Sequence, residues 1–399
     1  MIKKILKSYD YSLIFVIVLL SLFGLIMVYS SSMAWAVSPR YDVASNFFYE
    51  KQRLFLIGSG LIFTFVALFP YKALKSNRIL GPMVLGSLVV LGALFVFGHV
   101  AGNAQSWFKI GPLRIQPAEF AKLFVIIYLA AVYAKKQTYI NEFNKGVVPP
   151  LAYLFLVVLL IAIQPDFGTA IIVVAIAGTI IMSSGMNLKN LSKLFLIALL
   201  MAAPLVITLQ DEIFSEKRLA RFEVMKNPFL DEQDKGFHLV NSFIAIGSGG
   251  INGLGLGQSV QKLGYLPESH TDFIMSVIAE ELGIWGVGFV ILCLSYIVLR
   301  GLYIGLKCKD PFGSLLAIGI SSMIGIQSFV NLAGITGIIP LTGVPLPFVS
   351  YGGSSLLQLS IAMGILVNVS MFVNYEENYK KANVDNKPDN LRNVTNLRA

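Results

Sequence analysis

Residues Leu266–Gly283 read LPESHTDFIMSVIAEELG. A polar loop containing Pro267 runs straight into an apolar run, and Asp272 stands at the junction. The run from Phe273 to Leu299 is long enough to cross a bilayer, which takes about 20 apolar residues. Its first half nevertheless carries Glu280 and Glu281. Carboxylates inside a spanning segment are costly and usually functional. Asp272 has two readings. Ser269-x-x-Asp272 matches a helix capping box, in which the carboxylate satisfies free N–H groups. An acid held rigidly at one membrane face also suits chemistry on a membrane-bound substrate, and the two roles are compatible.

Outward from this stretch the chain keeps the same character. Of its 399 residues, 56% are hydrophobic and 13% charged, against about 45–50% and about 25% in soluble domains. The fold class read from this is an all-α polytopic membrane protein. About ten spanning helices are expected, near 11–31, 54–70, 80–99, 117–134, 149–164, 168–185, 194–210, 272–299, 313–334 and 348–373. Residues 1–373 form one integral unit, with a single large loop, 211–271, between the seventh and eighth helices. The tail 374–399 is polar and Asn-rich and reads as disordered.

Lysine and arginine favour one set of connections: 3–7, 72–78, 135–145, 189–193, 300–309 and the C-terminal tail. Positive charge stays inside, so both termini are cytoplasmic and 211–271 is extracellular. The formal net charge of +9 then lies along the inner leaflet and calls for no nucleic acid. Cys293 and Cys308 give neither a disulfide framework nor CxxC spacing, and His99, His238 and His270 are too scattered for a zinc site. The apolar run from Tyr11 is too long for a signal-peptide core and reads as a retained first helix.

Several motifs carry candidate chemistry. In Trp107–Lys122, WFKIGPLRIQPAEFAK, Glu119 and Lys122 lie one helical turn apart and can pair. They bind substrate or simply let a helix tolerate two charges. Asp166 in QPDFGT (Gln164–Thr169) is a short-loop acid or a turn residue. Arg218 and Arg221, three apart in the large loop, offer guanidinium forks for phosphate or form a solvated face. Gly247–Gly257, GSGGINGLGLG, lacks a strict GxGxxG and reads as a flexible re-entrant turn rather than a nucleotide site. Thr342–Ser355, TGVPLPFVSYGGSS, breaks any helix at membrane depth, so it lines a cavity or is buried in protein. Ser350, Gly352 and Gly353 there, with His270, join the candidate substrate contacts. No GxxxxGK[ST] loop or Asp-x-Asp pair signals an ATPase or a sugar-nucleotide enzyme.

QPAEFAK, QPDFGT, the SGG…GLGLGQS run, LPESHTDFI…EELG and PLPFVSYGGSS stand in the order seen in the shape, elongation, division and sporulation (SEDS) membrane proteins of bacteria. The chain resembles this family over nearly all of 10–373, and its division-type branch most, with LIMVYSSS in the first helix. Ala118 departs from the Ser that members often carry. The resemblance implies a ten-helix peptidoglycan glycosyltransferase that polymerises lipid II outside the cytoplasmic membrane, at the division septum. It implies a class B penicillin-binding protein (a transpeptidase) and other division proteins as partners, and makes Asp272 the match to the family's essential aspartate. Asp272 would serve as general base for an inverting transfer. Arg218, Arg221, Lys122 or a divalent cation, Mg2+ or Mn2+, would stabilise the leaving pyrophosphate, and no nucleotide is needed. Glu280, about 12 Å along an ideal helix from Asp272, is expected with Glu281 to be structural. Two rival functions remain: a lipid II flippase, since broken helices and intramembrane charges also suit transport, and a non-catalytic scaffold for division enzymes.

Overall fold

Each apolar run satisfies its own backbone hydrogen bonds as a helix, as a lipid surround demands. The computed structural model describes residues 2–39, 42–101, 104–111, 113–142, 148–208, 210, 215–232, 234 and 236–380. Its helices are α1 (Ile2–Lys7), α2 (Tyr11–Ala36), α3 (Phe47–Leu68), α4 (Asn77–Phe97), α5 (Pro117–Lys135), α6 (Val148–Ile163), α7 (Phe167–Ser183) and α8 (Leu188–Thr208). Two helices of the large loop follow, α9 (Glu216–Lys226) and α10 (Phe237–Gly249), then α11 (Ile274–Lys307), α12 (Pro311–Ile335) and α13 (Gly353–Tyr375). Among the described residues, seven helices are long and apolar enough to cross a membrane, and α6 and α7 are shorter apolar helices.

Helices α5, α12 and α13 form the buried centre, while α3 and α4 lie at the periphery. The outward faces of those two present Leu61, Phe65, Leu85 and Val96, the surface a lipid solvent accepts. Connections segregate to two faces. On one, Asn374 Nδ2 donates to Ser8 O at 3.0 Å and Tyr71 hydroxyl to Asp310 Oδ2 at 3.0 Å, so the two ends of the described chain meet. On the other, Trp35 Nε1 donates to Leu266 O at 3.3 Å and Ser269 Oγ to Ser31 O at 3.0 Å, beside Asp272.

Four expectations are corrected. Helix α3 begins at Phe47 rather than near 54, and its polar first turns carry an exposed Arg53–Glu50 pair of 2.6 Å. Residues 376–380 continue α13 as a wide helical turn, so the tail does not begin at 374; the expected disorder of 381–399 lies outside the described residues. Between α4 and α5 stands an unexpected three-stranded antiparallel sheet, β1 (His99–Ala101), β2 (Ala104–Ile110) and β3 (Leu113–Ile115). Its last strand is fastened to the start of α13 by Ser354 Oγ, which donates to Arg114 O at 2.9 Å.

The fourth correction concerns α11. It is not one straight span: Gly283, at φ 61° and ψ −153°, breaks it. A helix break frees carbonyls that need donors. The glycine-rich run supplies them: Leu254 N donates to Glu280 O and Gly255 N to Glu281 O, both at 2.9 Å. This run is therefore a docked plug rather than a flexible turn. Gly253, at φ 74°, lies so close to the α11 backbone that a Cβ would overlap Glu281 O. We expect Gly253→Ala to cost about 2–4 kcal/mol, from left-handed strain plus overpacking, measured as a lowered unfolding midpoint in detergent.

Candidate active site

Asp272 precedes α11, and the structure removes its capping role. The N-cap residue is Phe273, without a side-chain cap bond, and Ser269 is spent on Ser31. Asp272 is anchored instead through its backbone. Asn331 Nδ2, on α12, donates to Asp272 O and to Val344 O, each at 2.8 Å. The carboxylate points toward Gly343, where a Cβ would lie 3.5 Å from Oδ2. Asp272 is half-buried, and the surrounding protein dominates its electrostatics. Burial first, then repulsion from Glu268, pushes its pKa up to about 7, against a downward pull from Arg221.

A second cluster forms on α5 and α7. Lys122 Nζ pairs with Glu119 Oε1 at 2.7 Å, both side chains buried. Glu119 Oε2 is buried with no protein partner. Asp166 caps α7 by accepting from Thr169 N at 3.2 Å, and its other oxygen accepts from Gln116 Nε2 at 3.0 Å. Burial, with Glu119 adding, raises the Asp166 pKa. The turn reading of Asp166 matches its place as the N-cap of α7.

Helix α9 joins the two clusters. Arg218 stacks over Phe167 at 4.3 Å and donates to Pro165 O at 3.2 Å. One turn on, Arg221 Nη1 donates to Leu341 O at 3.2 Å. The segment Leu341–Val344 lies between: a Cβ on Gly168 would touch Thr342 O at 3.2 Å, while Val344 is tied through Asn331 to Asp272. Each arginine thus holds a backbone carbonyl beside a half-buried acid, Arg218 from a half-buried position and Arg221 from an exposed one. A groove of about 670 Å3 opens beneath α9, with Arg221, Glu216, Glu223 and Leu341 among its walls.

Alignment to a family model described as cell cycle protein, of the FtsW, RodA and SpoVE type, runs over residues 10–375. The chain belongs to this family. It is 60% identical over 384 residues to the probable peptidoglycan glycosyltransferase FtsW of Bacillus subtilis, covering 96% of this chain and 95% of that one. To stage V sporulation protein E of the same organism it is 39% identical over 369 residues, covering 92% and 98%. Among solved structures it is similar to a chain of a peptidoglycan synthase complex that coordinates polymerization and crosslinking, with a TM-score of 0.70 and 25% identity over 92% of this chain and 98% of that one. It is also similar to the rod shape determining protein RodA of Thermus thermophilus, with a TM-score of 0.62 and 26% identity over 91% and 96%.

Within this SEDS chain, several expected substrate contacts have other duties. His270 is buried between the rings of Phe48 and Tyr351, at 4.6 and 5.6 Å. Burial pushes its pKa down to about 4, so it is neutral and offers phosphate no cation. Ser350 Oγ donates to Thr271 O at 2.6 Å and accepts from Leu346 N at 2.8 Å, clasping the Pro-rich segment to the Asp272 loop. Gly352 N donates to Gln52 Oε1 at 3.3 Å. Gly353 gives the Phe55 ring room, since a Cβ would press on it at 2.8 Å. Glu280 accepts from Ser259 Oγ and from Val260 N at 2.9 Å; Glu281 pairs with Lys262 at 2.6 Å. Sequence reasoning missed Asn331 and Gly343. A lone Asn toward the end of an apolar helix was the available signal for the first. Among the described residues, no three or more His, Cys, Asp or Glu side chains are grouped so as to hold a metal ion.

Proposed function

We propose that this chain is a peptidoglycan glycosyltransferase of cell division that polymerises lipid II at the outer face of the cytoplasmic membrane. The observation that carries this reading is Asp272. Its carboxylate neither caps a helix nor, among the described residues, pairs with a cation, and its pKa is raised to about 7. A base of that strength suits proton abstraction near neutral pH.

The 4-hydroxyl of one lipid II attacks the anomeric carbon of the other chain's sugar. The new C–O bond forms as the bond to pyrophosphate breaks, with inversion. Asp272 takes the hydroxyl proton, and undecaprenyl pyrophosphate leaves with the electron pair. Arg221, which donates to Leu341 O, favours a pyrophosphate beside Leu341–Val344, while Lys122 is buried against Glu119 and would act on it only through that pair. A divalent cation, Mg2+ or Mn2+, would arrive with the pyrophosphate oxygens and supply further charge stabilisation for the leaving group. Family membership and the synthase-complex neighbour support a penicillin-binding transpeptidase as partner. The test is purified protein with purified lipid II, with and without that partner. Glycan polymer supports the reading, whereas lipid movement across vesicles without polymer would favour the flippase.

Arg221→Ala is expected to raise KM for the lipid-linked donor about tenfold, the scale of a lost charged hydrogen bond. It is also expected to move the midpoint of the pH–rate profile upward, because Arg221 lowers the Asp272 pKa. Unchanged kinetics would leave Arg221 as a tether of Leu341 alone. We place both termini in the cytoplasm and 211–271 outside. In a background lacking Cys293 and Cys308, cysteines at Asp231 and Lys387 are expected to label from outside and inside respectively; labelling of both from one side would overturn that topology.

A further inference from the structure

A cleft of about 490 Å3 lies between α4 and α5, at their ends nearest the two termini and away from Asp272. Leu80, Val84 and Leu88 of α4 face Tyr128 and Val132 of α5. Gly81 keeps the cleft open, since a Cβ there would meet nothing within 4 Å. Pro82 follows and lacks the N–H that would pair with the Arg78 carbonyl, so the first turns of α4 lose one helical hydrogen bond beside the cleft. At the mouth stand Lys135 and Lys136. Lys135 Nζ is set by Asn77 Oδ1 at 2.7 Å, and an ammonium has further donors to offer.

Apolar walls closed at one end by two lysines match one kind of occupant. A free phosphate gains nothing from the walls, and a zwitterionic lipid, whose own cation repels the lysines, gains less from them than an anionic one. Helix α4 is peripheral, with Leu85 and Val89 exposed at 65% and 61%, so the cleft opens toward membrane lipid. We propose that it binds one anionic phospholipid of the leaflet on the side of the termini. The acyl chain lies between α4 and α5, and the phosphate sits on Lys135 and Lys136.

The test uses full-length protein in nanodiscs of equal phosphatidylglycerol and phosphatidylcholine, with retained lipid counted by native mass spectrometry. Phosphatidylglycerol is expected to be retained at least about fivefold over phosphatidylcholine. Lys135→Gln and Lys136→Gln are each expected to cut that preference about fivefold. Gly81→Leu fills the cleft while leaving both charges and is expected to reduce retention of both lipids. Lys3→Gln, a charge on the same face outside the cleft, is expected to change nothing. Equal retention of the two lipids by the wild type would overturn the site, as would undiminished preference in the Lys135→Gln/Lys136→Gln double variant. An equal loss in Lys3→Gln would overturn it too, by assigning the effect to general surface charge.

Discussion

Asp272→Asn is expected to lower glycan polymerisation by at least about a hundredfold, within the range that general-base catalysis contributes. The amide matches the carboxylate in size but cannot take the hydroxyl proton. Since Asp272 caps no helix, the substitution removes no structural bond. It removes a half-buried charge instead, and so should stabilise the fold. For a carboxyl whose folded pKa is raised, the associated stability is present below its unfolded pKa of about 3.9. It is lost as pH rises through the folded value, here about 7. The Asn variant should therefore unfold at a higher temperature than wild type at pH 8, with the gap closing toward pH 4. Wild-type rate should climb about tenfold per pH unit below the pKa and level above it. These are read on detergent-purified proteins at matched amounts, scored by glycan length. Near-normal polymer from Asp272→Asn would return the flippase and scaffold readings to first place.

Lys262→Ala is expected to cost about 3–5 kcal/mol, the scale of leaving a buried partner charge alone. Lys262 is 1% exposed and Glu281 0%. Their nitrogen–oxygen distance is 2.6 Å, and Ser30 Oγ, on α2, donates to both Glu281 oxygens at 2.7 and 2.8 Å. This triad pins the loop before Asp272 to α2 and to the kinked end of α11. Replacing both charges, as Lys262→Met with Glu281→Leu, should recover most of the loss, because an apolar pair of similar volume pays no desolvation. Denaturant unfolding in mixed micelles reads both. A double variant no better than the single one would show that the pair contributes attraction beyond mutual neutralisation.

The sequence determined what depends on neighbouring residues alone. The length and apolarity of each run gave the helices. The order of motifs such as LPESHTDFI and PLPFVSYGGSS pointed to the family and to Asp272. Other features depend on contacts between distant positions. Lys262 read as one of many loop charges, because its partner Ser30 is 232 positions away. Gly253 read as a flexible turn, because nothing local shows that the α11 backbone breaks beside it at Gly283. Ser269-x-x-Asp272 satisfied the capping pattern, yet Ser269 found Ser31 O across the fold and left the carboxylate unspent. Asn331 stood out only as a lone Asn in an apolar helix, and its role stayed hidden because its amide serves two carbonyls that only packing brings together. Helix formation is driven by local hydrogen bonding and lipid exposure, so it is written in short windows. Whether a polar group is free to react depends on which distant donors reach it, and that is decided only when the helices pack.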